Sequence, residues 1–170
     1  VDFRSSNSDQ EFISISGWPF HSKYGSDSLR QNQTGLYSDL NLNTKKGFNL
    51  EVGNRLNFHS KYGSNDVFNI NPSYLINNSV KLFANLSTAY RTPSLYQLFS
   101  EFGNKDLKPE TATTSEFGIQ YFSKDNNFSG RLTGFSRNIK DMMFFYTNPS
   151  TYASQYINQD KQKDHGVELE

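Results

Sequence analysis

The sequence lacks several features that would assign it to common functional classes. It has no cysteine, so neither a disulfide framework nor a thiolate metal site is available. It has no run of about 18 apolar residues, which excludes a membrane-spanning helix. Its 17 basic and 17 acidic residues cancel, which leaves no overall field to attract nucleic acid. We therefore expect no nucleic acid among its partners.

The sequence is instead rich in aromatic and small polar residues. Phe, Tyr and Trp make up 15% of the 170 residues, although only 34% are hydrophobic and the mean hydropathy is -0.74. Disordered chains are equally polar, but they are poor in aromatic residues. Asn and Ser are abundant, and they disfavour helix interiors because they compete for backbone hydrogen bonds. The composition predicts an all-β protein, and the length predicts one domain.

The segment from Phe48 to His59 has the clearest pattern. Only Asn54 interrupts an alternation of apolar and polar residues, and a period of two places the two kinds on opposite faces of a strand. The length exceeds that of typical soluble strands and suits a tilted strand across a bilayer. The apolar residues of the segment are Phe48, Leu50, Val52, Leu56 and Phe58.

Other segments repeat this alternation, and we predict roughly eight antiparallel strands without an amphipathic helix. These segments begin near Phe12, Leu36, Val67, Val80, Glu116, Phe128 and Val167. The predicted connections are short at 44–47, 75–79 and 123–127, and longer at 60–66, 91–113 and 147–154. Short turns on one side and long loops on the other are typical of outer-membrane barrels.

A soluble β-sandwich would show the same alternation with its apolar face turned inward. Strand length favours the membrane, as do aromatic residues near strand ends, where interfacial girdles lie. These residues are Phe48, Phe58, Tyr62, Tyr90, Tyr121, Phe122 and Phe128. A sandwich binding module and a complete eight-stranded outer-membrane hydrolase both stay open as alternatives. Packing of Leu50, Val52, Leu56 and Phe58 into a dry centre would favour the sandwich.

The segment 91–110 is predicted to be an ordered loop between two strands. Thr92 suits the cap of a short helix and Pro93 its first position, while Pro109 ends any regular structure. The apolar face of this helix would consist of Leu95, Leu98 and Phe99.

At this loop the sequence resembles TonB-dependent outer-membrane receptors. In that family an aromatic-Arg/Lys-x-Pro-x-Leu-x-x-Leu loop precedes Gly-Asn and Leu-Lys-Pro-Glu. The matching residues are Tyr90, Arg91, Pro93, Leu95, Tyr96, Leu98, Gly103, Asn104, Leu107, Lys108, Pro109 and Glu110. The resemblance extends over about residues 33–170, including the final Gly166-Val167-Glu168-Leu169-Glu170. Segments 71–75 and 94–98 most resemble vitamin B12 transporter-like members of Bacteroidetes type.

The resemblance implies that residues 1–170 form one antiparallel part of a 22-stranded transmembrane β-barrel in the bacterial outer membrane. It implies uptake of a scarce, bulky nutrient, with cobalamin as the first expectation and a siderophore or glycan as the alternative. Cobalamin would be the transported substrate, not a cofactor, and no enzymatic activity is implied. The expected partners are outer-membrane lipid, the nutrient, a surface lipoprotein and a TonB complex. Because the TonB complex acts through an N-terminal plug that this chain lacks, we expect a fragment.

Aromatic loop residues are the candidate ligand contacts, because flat apolar faces suit a large ligand. They are Tyr96, Phe99, Phe102, Tyr146 and Tyr152. The motif residues are expected to hold the fold of the loop instead, as Pro and Gly in loops usually do. They are Arg91, Pro93, Leu95, Tyr96, Leu98, Asn104, Leu107, Pro109 and Glu110.

Catalytic and metal-binding patterns are missing from the sequence. The three histidines, His21, His59 and His165, are far apart and lack the spacing of metal ligands. There is no Gly-x-Ser-x-Gly elbow and no phosphate-binding glycine loop. We therefore predict no catalytic residue, no bound metal and no cofactor.

Overall fold

The computed structural model describes residues 1–13, 21–25, 29–125 and 127–170. Within these residues, eight strands form one antiparallel sheet, two form a separate hairpin, and one short helix lies in a loop. The elements are β1 (Asp2–Asn7), β2 (Gln10–Ile13), β3 (His21–Tyr24), β4 (Arg30–Asn43), β5 (Phe48–His59), β6 (Gly63–Ile76), β7 (Val80–Arg91), α1 (Leu95–Phe99), β8 (Glu110–Phe122), β9 (Ser129–Thr147) and β10 (Ser154–Leu169). The predicted all-β antiparallel fold class is confirmed.

From β4 to β10 the large sheet is a meander, in which each strand pairs with the next strand along the chain. Its order is β1-β4-β5-β6-β7-β8-β9-β10, and the β2–β3 hairpin lies in the connection from β1 to β4. Strand β5 has the bounds that its alternation predicts. The early segment predicted near Phe12 begins in β2, and its continuation past Ile13 lies outside the described residues.

One face of the sheet is apolar and uncovered. Register places Leu40 beside Val52, Val52 beside Ile70, and Ile119 beside Leu132. Leu40 and Phe117 are both 64% exposed, and in the described part of the chain no second layer packs on this face. Leu50, Val52 and Leu56 are half-buried by neighbours in the sheet, and Phe58 is exposed. A β-sandwich would have buried these four side chains, so the sandwich alternative is wrong for this sheet.

The opposite face is polar and carries its own hydrogen bonds. Asn69 donates to Glu51 across the β5–β6 pair at 3.3 Å, and Asn85 donates to Asn71 across the β6–β7 pair. Near β1, Arg55 forms an ion pair with Asp2 at 2.9 Å. Residues of the polar face, among them Glu51, Asn71 and Asn85, line an open hollow of about 580 Å³ over strands β4 to β9. Every described strand from β4 to β8 therefore has one face suited to hydrocarbon and one suited to water.

The connections differ in part from the predicted alternation of short and long. The segment 60–66 was expected to be a long loop, but β6 already begins at Gly63, so the turn has three residues. Ser64 and Asp66 are polar, so the sequence predicts a loop there. In the structure they belong to β6, which continues beyond its apolar positions. The connection from β1 to β4 and the segments 60–62, 92–109 and 148–153 join strands at one end of the sheet, which we call the loop end. The connections from β4 to β5, β6 to β7 and β8 to β9 join strands at the other end, which we call the turn end.

Among the described residues, no helix has the length and apolar character needed to cross a membrane. The helix α1 has five residues and belongs to the long loop between β7 and β8. At the turn end, Asn77 and Asn78 have φ of 49° and 55°. Asn tolerates this left-handed conformation, and two such residues in succession make the tight turn that matches the twist of a hairpin.

Candidate functional site

The helix in loop 92–109 starts at a capping box. The hydroxyl of Ser94 accepts a hydrogen bond from the Gln97 backbone at 3.2 Å, and the Gln97 side chain accepts one from the Ser94 backbone at 3.0 Å. The expectation that Thr92 caps this helix is wrong by two residues. The reason is that Ser94 has Gln three residues later, whereas Thr92 has Leu95, which cannot return a hydrogen bond.

The loop folds back onto the polar face and packs there through a small dry cluster. Leu98 is 1% exposed and Leu107 is 2% exposed, and both pack against Met143 of β9. Phe99 and Tyr156 cover the edge of this cluster. Among the described residues, Leu98, Leu107 and Met143 form a buried apolar cluster like the core of a small soluble protein. Its burial fixes the loop to the extended ends of β9 and β10.

Hydrogen bonds attach the loop backbone to β10. The Asn158 side chain accepts from the Lys108 backbone at 2.8 Å and donates to the Lys108 carbonyl at 3.0 Å. The Asn104 side chain donates to the Tyr156 carbonyl at 3.1 Å, and the Tyr156 backbone donates to the Phe102 carbonyl at 2.9 Å. These bonds satisfy loop backbone groups that would otherwise be left without partners near an apolar cluster.

Both ends of the loop meet in an ion pair. Arg91 lies 2.8 Å from Glu110 at the point where β7 and β8 leave the loop. The same Glu110 oxygen accepts the backbone N–H of Met143 at 3.1 Å. The remaining motif residues pack the loop: Pro93 and Leu95 are buried, and Pro109 is half-buried before β8.

A turn residue anchors the loop from the other side. The Tyr62 hydroxyl donates to the Leu107 carbonyl at 3.2 Å. Burial, and secondarily the proximity of Tyr90, raises the pKa of Tyr62 to about 12, so its hydroxyl stays protonated. Nearby, the Lys61 ammonium donates to the Lys105 carbonyl at 3.0 Å. The loop is therefore held by β5–β6 as well as by β9–β10.

The structure brings two of the five predicted ligand residues into one aromatic cluster. Tyr96 lies 6.2 Å from Tyr156, Phe102 lies 5.4 Å from Phe145, and Phe145 lies 5.3 Å from Tyr156, all as edge-on ring pairs. We call Tyr96, Phe102, Phe145 and Tyr156 the aromatic cluster. Sequence analysis did not predict Phe145 and Tyr156 as part of this cluster. The run of aromatic residues at 144–146 was a signal for Phe145.

The other three predicted residues lie elsewhere. Phe99 packs against Tyr24 at 5.7 Å, with the Lys105 ammonium 5.5 and 5.6 Å from the two ring centres. Tyr146 pairs with Phe144 at 6.2 Å, away from the aromatic cluster. Tyr152 is 82% exposed at the 148–153 turn. Only Tyr96 and Phe102 among the predicted five therefore share a surface.

A polar cavity of about 300 Å³ lies between the start of α1 and the polar face. It is lined by Arg4, Gln31, Gln33 and His59 from the sheet and by the 92–95 segment. The Gln31 amide nitrogen is buried and has no hydrogen-bond partner, and a buried donor left this way costs about 1–3 kcal/mol. The side chains around the cavity are mostly polar or charged, so a ligand there would meet hydrogen-bonding groups.

Histidines and carboxylates do not converge in the described residues. No group of three or more His, Asp or Glu side chains is placed there to hold a metal ion. His21 lies 3.0 Å from Glu11 in the hairpin, and a ring nitrogen of His59 accepts the backbone N–H of Lys61 at 3.1 Å. His165 is exposed on β10.

Comparison with known proteins identifies the family. The chain matches the family model described as TonB dependent receptor-like, beta-barrel, over residues 1–170. It is similar to the siderophore receptor PirA from Pseudomonas aeruginosa, with 25% identity and a TM-score of 0.73 over 82% of this chain and 28% of that chain. It is similar to a mutant of the ferric enterobactin receptor PfeA from Pseudomonas aeruginosa in complex with enterobactin, with 25% identity and a TM-score of 0.73 over 86% and 25%.

The copper transporter OprC shares the fold, with 16% identity and a TM-score of 0.70 over 98% of this chain and 31% of that chain. The chain thus spans between a quarter and a third of the length of these three structures. The chain belongs to the TonB-dependent receptor-like β-barrel family.

Proposed function

We propose that this chain forms part of the wall of an outer-membrane receptor that takes up an iron chelate of the siderophore class. The observation that carries the proposal is the aromatic cluster at the loop end, in a chain whose matches at 25% identity include two siderophore receptors. The cobalamin expectation gains no support from these matches. The siderophore alternative is therefore the better proposal.

The chemistry of the loop end suits a large, anionic, partly aromatic ligand. The edge-on rings of the aromatic cluster offer flat apolar surface for stacking. Arg4 supplies a cation and Gln33 an amide group in the polar cavity at the start of α1. Charge-assisted hydrogen bonds of this kind suit anionic oxygens, such as those of a metal chelate.

In this proposal the apolar face meets outer-membrane lipid, and the loop end faces outward. The chain is a partial barrel domain, and a plug elsewhere in the full-length protein couples uptake to a TonB complex. Catalysis is not part of the proposed role. Contact with a surface lipoprotein stays a prediction, because no described surface carries an argument for it.

The test is binding and uptake by the full-length protein that contains this chain. We expect ferric enterobactin or a related ferric chelate to bind, with cyanocobalamin and a maltooligosaccharide as comparison ligands. Replacing Phe102 and Tyr156 with Ala should weaken chelate binding at least tenfold, which is about 1.4 kcal/mol and is in the range of aromatic contacts.

The matched control is Tyr152→Ala, which removes an exposed aromatic ring at the same end of the sheet but outside the aromatic cluster. It should leave chelate binding unchanged. Tight binding of cyanocobalamin without any chelate binding would overturn the ligand class. Equal losses in the double variant and the control would show that the aromatic cluster is not the site.

A further inference from the structure

The apolar face changes its character on the last two strands. Along β10 it runs from Leu169 and Val167 through His165 to Lys163 and Lys161, since alternate residues share a face. Along β9 it runs from Leu132 to Lys140. We call Lys140, Lys161 and Lys163 the lysine patch. All three side chains are exposed.

The lysine patch concentrates charge of one sign. Lys140 and Lys161 are direct cross-strand partners, and Lys163 pairs with Asn138, two residues along β9 from Lys140. Direct partners have Cβ atoms about 5 Å apart and diagonal ones about 7–8 Å, and like charges at these positions repel. None of the ion pairs found among the described residues includes these lysines. The nearby Asp164 is on the opposite face and accepts hydrogen bonds from Gln162.

Elsewhere the same face is almost free of charge. On β5 to β8 its alternating positions carry one charged residue, Asp66, which accepts a hydrogen bond from Asn54 at 2.7 Å. The charge of the lysine patch is therefore not shared by the rest of this face. It is a local cationic site on a face that is otherwise apolar or neutral.

The lysine patch lies beyond the apolar residues of β10, on the side of the loop end. Lys163 and Lys161 lie four and six residues beyond Val167, which is about 13 and 20 Å along a strand. With a strand tilt of about 45°, this becomes about 9 and 14 Å along the membrane normal. Neutral hydrogen-bonding side chains surround the lysines at this level: Thr111, Thr113, Asn138 and Ser136.

We propose that the lysine patch binds the phosphate groups of an anionic lipid headgroup in the outer leaflet. Phosphate oxygens between the three ammonium groups would offset the repulsion among them, and the acyl chains would continue down over Val167, Leu132 and Leu169. The proposal rests on the membrane placement of the apolar face given above, but not on the identity of the transported ligand.

The test measures binding of diphosphoryl lipid A by the full-length protein reconstituted in phosphatidylcholine vesicles. Vesicles without diphosphoryl lipid A serve as the blank. We expect the triple variant Lys140→Gln, Lys161→Gln, Lys163→Gln to bind diphosphoryl lipid A about a hundredfold more weakly, from about fivefold for each lysine near a charged surface. The matched control replaces Lys45, Lys46 and Lys124 at the turn end with Gln and should keep wild-type binding. Raising the salt concentration should weaken wild-type binding and hardly change the triple variant.

Two outcomes overturn the proposal. One is equal binding of diphosphoryl lipid A by the triple variant and the wild type. The other is a lower thermal midpoint of the triple variant in lipid-free zwitterionic detergent, which would mean that the lysines pair with protein groups. Binding of ferric enterobactin, measured on the same samples, separates the two proposals, because the triple variant should bind the chelate as the wild type does.

Discussion

The sheet and the loop that docks on it are stabilised in different ways. The sheet leaves its apolar face uncovered, and side chains such as Leu40 and Phe117 are well exposed. The loop instead buries Leu98 and Leu107 almost completely against Met143. The stability of the sheet therefore depends on what covers its apolar face, whereas the loop has a dry cluster of its own. Substitutions in the two regions should respond differently to the surrounding lipid.

The largest effect is expected in the loop cluster. Leu98→Ala leaves a cavity beside Leu107 and Met143, and such changes cost about 2–5 kcal/mol. The cost should be local, so that the loop detaches while the sheet stays folded. Trypsin cleavage after Lys105 in the full-length protein measures this detachment and should become much faster, whereas the bond after Lys108 resists trypsin because Pro109 follows it. The control Leu86→Ala, on the apolar face, should leave this cleavage unchanged. Global unfolding by Leu98→Ala would show that the loop and the sheet are not independent.

A charge on the apolar face should have a slightly smaller but lipid-dependent effect. Val52→Arg places a guanidinium near the middle of the apolar positions of β5, and an Arg at this depth of a barrel costs about 2–4 kcal/mol. The control Asn49→Arg makes a similar change on the polar face and should cost little. Urea unfolding of the protein in phosphatidylcholine vesicles provides the measurement. A larger loss from Asn49→Arg than from Val52→Arg would reverse the assignment of the two faces.

The contrast between the regions also explains what the sequence could predict. The bounds of β5 followed from Phe48 to His59 because alternation is strict where one face is apolar. The first twelve residues of β10, 154–165, were not predicted as strand because all of them except Tyr156 and Ile157 are polar, so neither face shows an apolar alternation. Beyond the apolar positions the membrane no longer imposes a pattern, so a strand there is difficult to distinguish from a loop.

The same limit applies to the candidate site. The loop motif pointed to an ordered segment with a short helix, and Tyr96 and Phe102 were among the predicted ligand residues. Phe145 and Tyr156 were not, because their contact depends on the register that makes them cross-strand partners. Register in this hairpin depends on where the 148–153 turn begins and ends, and the polar residues on both sides of that turn give no alternation that would fix its bounds.

A smaller effect is expected from the tyrosine that connects the two regions. Tyr62→Phe removes the hydrogen bond to the Leu107 carbonyl, and we expect a cost of about 0.5–1.5 kcal/mol to loop docking. Since the pKa of Tyr62 is raised to about 12 from an ordinary value near 10, its contribution is complete below pH about 10 and is lost between about 10 and 12. Tyrosinate absorbance should show a late-titrating component that becomes smaller in Tyr62→Phe but is unchanged in Tyr152→Phe. A wild-type titration without a late component would contradict the buried hydroxyl.

The smallest effect is expected in the β2–β3 hairpin, which is outside both regions. The His21 ring, 3.0 Å away, and then the Lys23 ammonium lower the pKa of the Glu11 carboxyl. A lowered pKa means that the contribution of Glu11 to hairpin stability is present above its ordinary value and is lost as pH falls through the lowered one. Amide hydrogen exchange in the hairpin should therefore show an extra loss of protection in acid, and Glu11→Gln should abolish this pH dependence while loop 92–109 is unaffected. Because Glu11 is exposed, salt should weaken the effect; a salt-independent response would mean that the carboxylate is held by something other than these two cations.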